Sequence, residues 1–311
     1  MKIIVAFLRL SRWPNLFFIA LTQCLFFFCV IHSIASHSFN WFQSYFFLLV
    51  AASLSIAAAG YIINDYFDLH IDAINKPGKV VIDKLVKRRW AILWHFVLSL
   101  AGAFLSVYFT IKTNNWIIAA GNISCIGLLW FYSTTFKKKL LIGNVIIAAL
   151  SAWVMLVLYF AYCYPGAAFG NQLSDTGSYK QAYKFTSLYA GFAFIVSLIR
   201  EVIKDLEDME GDARHQCKTM PVVWGVPATK VFTAVWIVVC LAALFIISIY
   251  AWQLGWKLSV LYCFILIIAP LFFILFNLNK ASSPAAYHKL SIQVKLVMLS
   301  GILSMVFFIN R

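Results

Sequence analysis

Nine apolar runs, each able to cross about 30 Å of hydrocarbon at ~20 residues apiece, leave this 311-residue chain few ways to fold. They fall at residues 14–34, 45–63, 90–111, 116–131, 141–162, 185–200, 231–252, 258–278 and 292–309. The fourth and sixth are short and are expected to run a turn further into polar sequence. Only 12% of the residues are charged, against roughly 25% in soluble domains. The expectation is an all-α integral membrane protein forming one membrane domain over residues 1–311. The first run lacks a small-residue cleavage site and reads as a retained helix rather than a signal peptide. The seven cysteines lie mostly inside apolar runs without paired metal spacing, and read as small buried hydrophobes.

The basic residues give the orientation. Lys2, Arg9 and Arg12 precede the first run, and Lys76, Lys79, Lys84, Lys87, Arg88 and Arg89 follow the second. Lys137 to Lys139 join the fourth to the fifth. Arg200, Lys204, Arg214, Lys218 and Lys230 are assigned to the sixth-to-seventh connection, and Lys280, Lys289 and Lys295 to the eighth-to-ninth. That places 20 of 25 basic residues on one side, so the N-terminus is expected in the cytoplasm and the C-terminus outside. A net charge of +14 distributed this way is a topology signal and argues against nucleic acid as a partner.

The carboxylates are far less evenly spread. Of eleven acidic residues, three are Asp65, Asp68 and Asp72, and six lie between Glu201 and Asp212. On a helix, Asp65, Asp68 and Asp72 share one face at i, i+3 and i+7, with Asn64 four residues before Asp68. Asp205, Asp208 and Asp212 repeat that spacing. Each set follows an apolar run, and the charge count assigns both to the cytoplasmic side. Like charges this close repel by about 1 kcal/mol in water and by several times more where water is scarce. Something cationic is therefore expected among them, or a proton on some of them, and one shared site is the simplest reading.

Oxygen ligands without His or Cys at ligand spacing select hard cations, Mg²⁺ before Zn²⁺. Mg²⁺ is typically held by one or two carboxylates while a substrate phosphate fills other positions. Two carboxylate helix ends with Mg²⁺ are thus suited to grip a diphosphate. Lys79, Lys137, Lys204, Lys218 and Arg12 are candidates to neutralise it as it leaves. Tyr61, Phe67, Phe131 and Tyr132 lie near the motif ends, where aromatic faces can stabilise a cation by about 0.5–2 kcal/mol each. His70 points off the Asp face, His95 is expected to hydrogen-bond within the helix bundle, and His215 to be solvated. Gly211 is expected to let its helix end.

These residues resemble the UbiA family of intramembrane prenyltransferases. Asn64, Asp65, Asp68 and Asp72 match the family's NDxxDxxxD motif in full, and Asp208 and Asp212 match its DxxxD motif. Arg12-Trp13-Pro14-Asn15, Asn75, and Tyr132-Ser133 followed by Lys137 are similar too. The resemblance implies nine helices around a central cavity open sideways to lipid. It implies Mg²⁺ held by Asn64, Asp68, Asp72, Asp208 and Asp212, with Asp65 and Asp205 as additional ligands. The implied reaction is ionisation of an allylic polyprenyl diphosphate and attack at C1 by a lipophilic or amphipathic acceptor. Lys79-Val80 departs from the family's usual Arg-Pro pair, and a lysine meets phosphate without a bidentate fork. The stretch from Arg200 to Asp212 resembles the geranylgeranylglyceryl-phosphate geranylgeranyltransferase branch, which implies an ether-lipid acceptor. An aromatic, quinone-type acceptor is the alternative. A cation transporter with intramembrane carboxylates is the alternative from another class, but it predicts charge near the midplane and on both sides of the barrier. The far side here has almost none. The implied location is the cell's inner (plasma) membrane, with the active site toward the cytoplasm.

Overall fold

A computed structural model describes residues 2–34, 43–75, 78, 80–163 and 176–309. A short helix α1 (Lys2–Leu10) precedes α2 (Trp13–Ile34) and α3 (Gln43–Phe67), and α4 (Leu69–Asn75) follows at once. Then come α5 (Arg88–Thr113), α6 (Trp116–Thr134), α7 (Ile142–Tyr162) and α8 (Thr176–Arg214). The rest is α9 (Met220–Val223), α10 (Gly225–Gln253), α11 (Lys257–Lys280) and α12 (Pro284–Phe308). Among the described residues, nine helices are long and apolar enough to span a membrane. A helix satisfies its own backbone hydrogen bonds, which hydrocarbon cannot do.

Contacts divide the chain into two compact units. One comprises the residues up to Lys137 with Trp153–Ser187; the other comprises Lys138–Ala152 with Leu188–Ile309. In the first, Ala6 and Leu10 of α1 pack with Ile62 of α3 and with Val81, Ile82 and Val86 of the following loop. In the second, α8 buries Val196, Ile199, Ile203 and Leu206 against α10, α11 and α12.

The boundaries of two helices differ most from the sequence expectation. α8 has 39 residues, about 58 Å at ~1.5 Å each, nearly twice the hydrocarbon thickness. It begins well before residue 185 and runs past 200, because polar residues hidden from a hydropathy window are still good helix formers. α12 starts at Pro284, after Ser283 accepts a hydrogen bond from the Ala286 amide as N-cap. Arg200, Lys204, Lys289 and Lys295 are therefore helical residues, not loop residues. Gly211 is helical as well. α8 ends later, where Gln216 takes φ 55° and the amides of Cys217 and Gln216 bond the carbonyls of Asp212 and Ala213.

Candidate active site

The first motif sits where α3 gives way to α4. Asp68 is a turn residue between the two helices, yet its amide donates to Asn64 O at 2.9 Å and its carbonyl accepts from Asp72 N at 2.8 Å. The helical hydrogen-bond ladder thus continues through the break and keeps the three carboxylates near one face. Asp68 is 3% exposed. Its Oδ2 accepts from Asn64 Nδ2 at 2.6 Å and from the ammonium of Lys137. Asn64 Oδ1 is buried without a hydrogen-bond partner.

Arg12 reaches the same motif from the turn between α1 and α2, where it adopts φ 50°. One guanidinium nitrogen donates to Asp65 Oδ1 at 2.6 Å, and the group lies 5.2 Å from the Tyr61 ring centroid. Burial by itself would lower the Arg12 pKa, but the charge of Asp65, helped by Tyr61 and Asp68, holds it above the ordinary value. Lys137, in a 3₁₀ turn after α6, behaves alike. Burial would lower its pKa, while Asp68 foremost, then Tyr132 and Asp72, hold it raised. Both cations stay charged, and the expectation that cations stand among these carboxylates is met.

The second motif lies near the C-terminal end of α8, in the other unit. Arg200, Lys204, Asp208 and Asp212 recur every four residues and Glu201 and Asp205 fall beside them, so all six share one side of the helix. Asp212 is buried. Asp205 accepts from Asn144 Nδ2 of α7 at 2.7 Å. Glu201 accepts from Arg200 Nη1 at 3.2 Å and from Lys204 Nζ at 3.0 Å. Glu207, seven residues after Arg200 and so on the same face as it, has its Oε1 3.0 Å from His288 Nδ1 of α12.

The structure sorts the remaining candidates. Tyr132 is half-buried within electrostatic reach of Lys137. Lys218 is exposed, with its amide donating to the Lys138 carbonyl at 2.9 Å. Lys79 lies outside the described residues. Phe67 and Phe131, at the ends of α3 and α6, are 39% and 55% exposed. His95 Nδ1 donates to the Ala59 carbonyl at 3.0 Å, as expected. His215 is not fully solvated: its Nε2 is buried without a hydrogen-bond partner. The seven cysteines are free, and all but Cys24 and Cys263 are buried.

Asn144, Glu201 and Lys295 were not singled out from the sequence. Glu201, four residues before Asp205, carried a signal in its spacing. Asn144, one amide at the start of an apolar run, carried almost none.

No three His, Cys, Asp or Glu side chains among the described residues form a ready metal cage. Mg²⁺ does not require one, since phosphate oxygens and water complete its shell. A buried aspartate beside an amide oxygen with no partner is a donor set that suits a hard cation.

The chain matches the UbiA prenyltransferase family over residues 24–297. It belongs to that family. UbiA membership makes it a membrane-embedded prenyltransferase and displaces the transporter alternative. The chain is 32% identical to digeranylgeranylglyceryl phosphate synthase of Methanospirillum hungatei over 59% of its own length and 59% of that relative's. It is 32% identical to the synthase of the same name from Sulfurisphaera tokodaii, over 75% of this chain and 77% of the relative. A solved structure of digeranylgeranylglyceryl phosphate synthase in membranes shares the fold, with TM-score 0.59, 24% identity, and 98% and 99% of the two chains covered. So does a UbiA homologue from Archaeoglobus fulgidus bound to DMAPP and Mg²⁺, with TM-score 0.57, 16% identity, and coverage of 96% and 98%.

Proposed function

We propose that this UbiA enzyme binds a prenyl diphosphate with Mg²⁺ and transfers the prenyl group to geranylgeranylglyceryl phosphate. One observation carries the donor half. Asp68 is buried with Lys137 and Asn64 converging on one oxygen, while the other end of the Asn64 amide lacks a partner. Such a carboxylate can exchange an ammonium for a metal ion without moving its backbone. Asn64, Asp68 and Asp72, with Asp65 beside them, would hold Mg²⁺ at the first motif, and Asp208, Asp212 and Asp205 at the second. Bound there, Mg²⁺ neutralises phosphate oxygens of the donor and makes diphosphate a better leaving group.

The chain's own residues do the remainder. Arg12 and Lys137, both charged at neutral pH, complement the negative charge that grows on the departing diphosphate. The apolar ends of α3 and α6 exclude water below it, which protects an allylic cation from hydrolysis. An acceptor hydroxyl then attacks C1: the C1–O bond to diphosphate breaks, an ether bond forms, and the hydroxyl proton is released.

The acceptor rests on the similarity to the synthases from Methanospirillum and Sulfurisphaera, and the Arg200–Asp212 stretch agrees with it. We place the N-terminus and both motifs at the cytoplasmic face of the cell membrane, on the distribution of basic residues. The test is to incubate purified enzyme with labelled prenyl diphosphates of different length and with glyceryl-phosphate and aromatic acceptors, identifying products by mass. An aromatic prenyl product without an ether lipid would overturn the acceptor. Transfer undiminished by EDTA would overturn the metal role.

A further inference from the structure

The second motif is flanked toward the helix interior by a cationic group that the metal chemistry does not use. Arg200 and Lys204 of α8 both donate to Glu201, so one carboxylate is shared between two cations. Lys295 of α12 lies within electrostatic reach of both Arg200 and Lys204. The pairing of Glu207 with His288 explains why. Seven residues back along α8 and seven forward along α12 are two turns on antiparallel helices, which brings 200 opposite 295.

The three cations are half-buried, and Arg200 Nε, one arm of its guanidinium fork, is buried without a hydrogen-bond partner. Asp205, next to Lys204 in the chain, accepts from Asn144. A buried guanidinium arm without a partner, with two further cations beside it, is a place where an anion fits. A guanidinium with two ammonium groups offers charge-assisted donors to the three terminal oxygens of a phosphate monoester.

This anion is not the donor's diphosphate held at the carboxylates. Arg200 lies eight residues from Asp208, about 12 Å along the axis at ~1.5 Å per residue, farther than a diphosphate reaches. We propose that Arg200, Lys204 and Lys295 form a binding site for the phosphate monoester of the acceptor, and so select a phosphorylated acceptor over its alcohol. The proposal rests on the prenyl-transfer reading above and assigns one substrate's headgroup to α8 and α12.

The test uses the full chain in lipid nanodiscs with geranylgeranyl diphosphate as donor. The acceptors are geranylgeranylglyceryl phosphate and the same lipid lacking its phosphate. Lys295→Met should lower kcat/KM for the phosphorylated acceptor relative to the alcohol by about ten- to a hundredfold, the loss of one charge-assisted hydrogen bond. Lys295→Arg should restore most of the preference. An equal loss on both acceptors, or a rise in donor KM in place of acceptor KM, overturns the site. A second measurement needs no variant. Glycerol phosphate should inhibit the wild-type enzyme competitively against the acceptor; competition against the donor alone overturns the site. A wild type that prenylates neither glyceryl lipid but does prenylate an aromatic acceptor refutes the acceptor reading itself, and this site with it.

Discussion

Replacing Lys137 with methionine should separate the stability of the first motif from its catalysis. In the structure this ammonium and the Asn64 amide share one oxygen of Asp68, a carboxylate only 3% exposed. Lys137 itself is 28% exposed, so solvent screens the pair little. Removing one partner of a buried ion pair costs about 3–5 kcal/mol, because the other charge is left buried. Asn64 still donates to Asp68, so the lower end applies, about 3 kcal/mol. For a chain of this size that lowers the unfolding midpoint by about 6 °C in metal-free detergent solution. Adding Mg²⁺ should recover most of that loss, because the cation replaces the missing ammonium. Mg²⁺ should also bind the variant at least as tightly as wild type in the absence of donor, since it no longer displaces Lys137. Donor KM should nevertheless rise, as the diphosphate loses a cation. The raised pKa of Lys137 fixes the pH behaviour: its contribution is complete below the ordinary lysine value and fades only above the folded one. The difference between wild type and variant should therefore be flat from about pH 6 to 9. An unfolding midpoint unchanged by the substitution, or Mg²⁺ binding weakened by it, would refute the exchange of ammonium for metal.

Other expectations follow from the same geometry. Asp68→Ala and Asp208→Ala should each lower prenyl transfer by at least ~10²-fold in protein that still inserts, checked by product formation and membrane fractionation. EDTA should silence the wild type, and Mg²⁺ should restore it in a direct activity assay. Asn144→Leu strips Asp205 of its amide donor; destabilisation of about 1–3 kcal/mol is expected by thermal unfolding, and an unchanged midpoint would mean the contact at 2.7 Å contributes nothing. At Gly121, an added Cβ would lie 2.1 Å from the Trp153 ring, whose Nε1 donates to Asn122 at 2.9 Å. Gly121→Ala should then cost about 1–3 kcal/mol by overpacking, and wild-type stability in that variant would show that the ring can move aside.

Much of this molecule is written in its hydropathy and its acids. Apolar runs of membrane length dictate helices, because hydrocarbon offers the backbone no other hydrogen-bond partner. The spacing of Asp65, Asp68 and Asp72, echoed by Asp205, Asp208 and Asp212, follows from the helical repeat alone and already identified the motifs. What stayed hidden depended on partners distant in sequence. Nothing local reveals that Arg12 meets Asp65, that Lys137 meets Asp68 across 69 residues, or that Asn144 holds Asp205. Nor does any local pattern place Lys295 opposite Arg200. Periodicity determines which side of a helix a residue occupies; only the packing of helices decides which charge that side meets, and in a medium poor in water that meeting sets the chemistry.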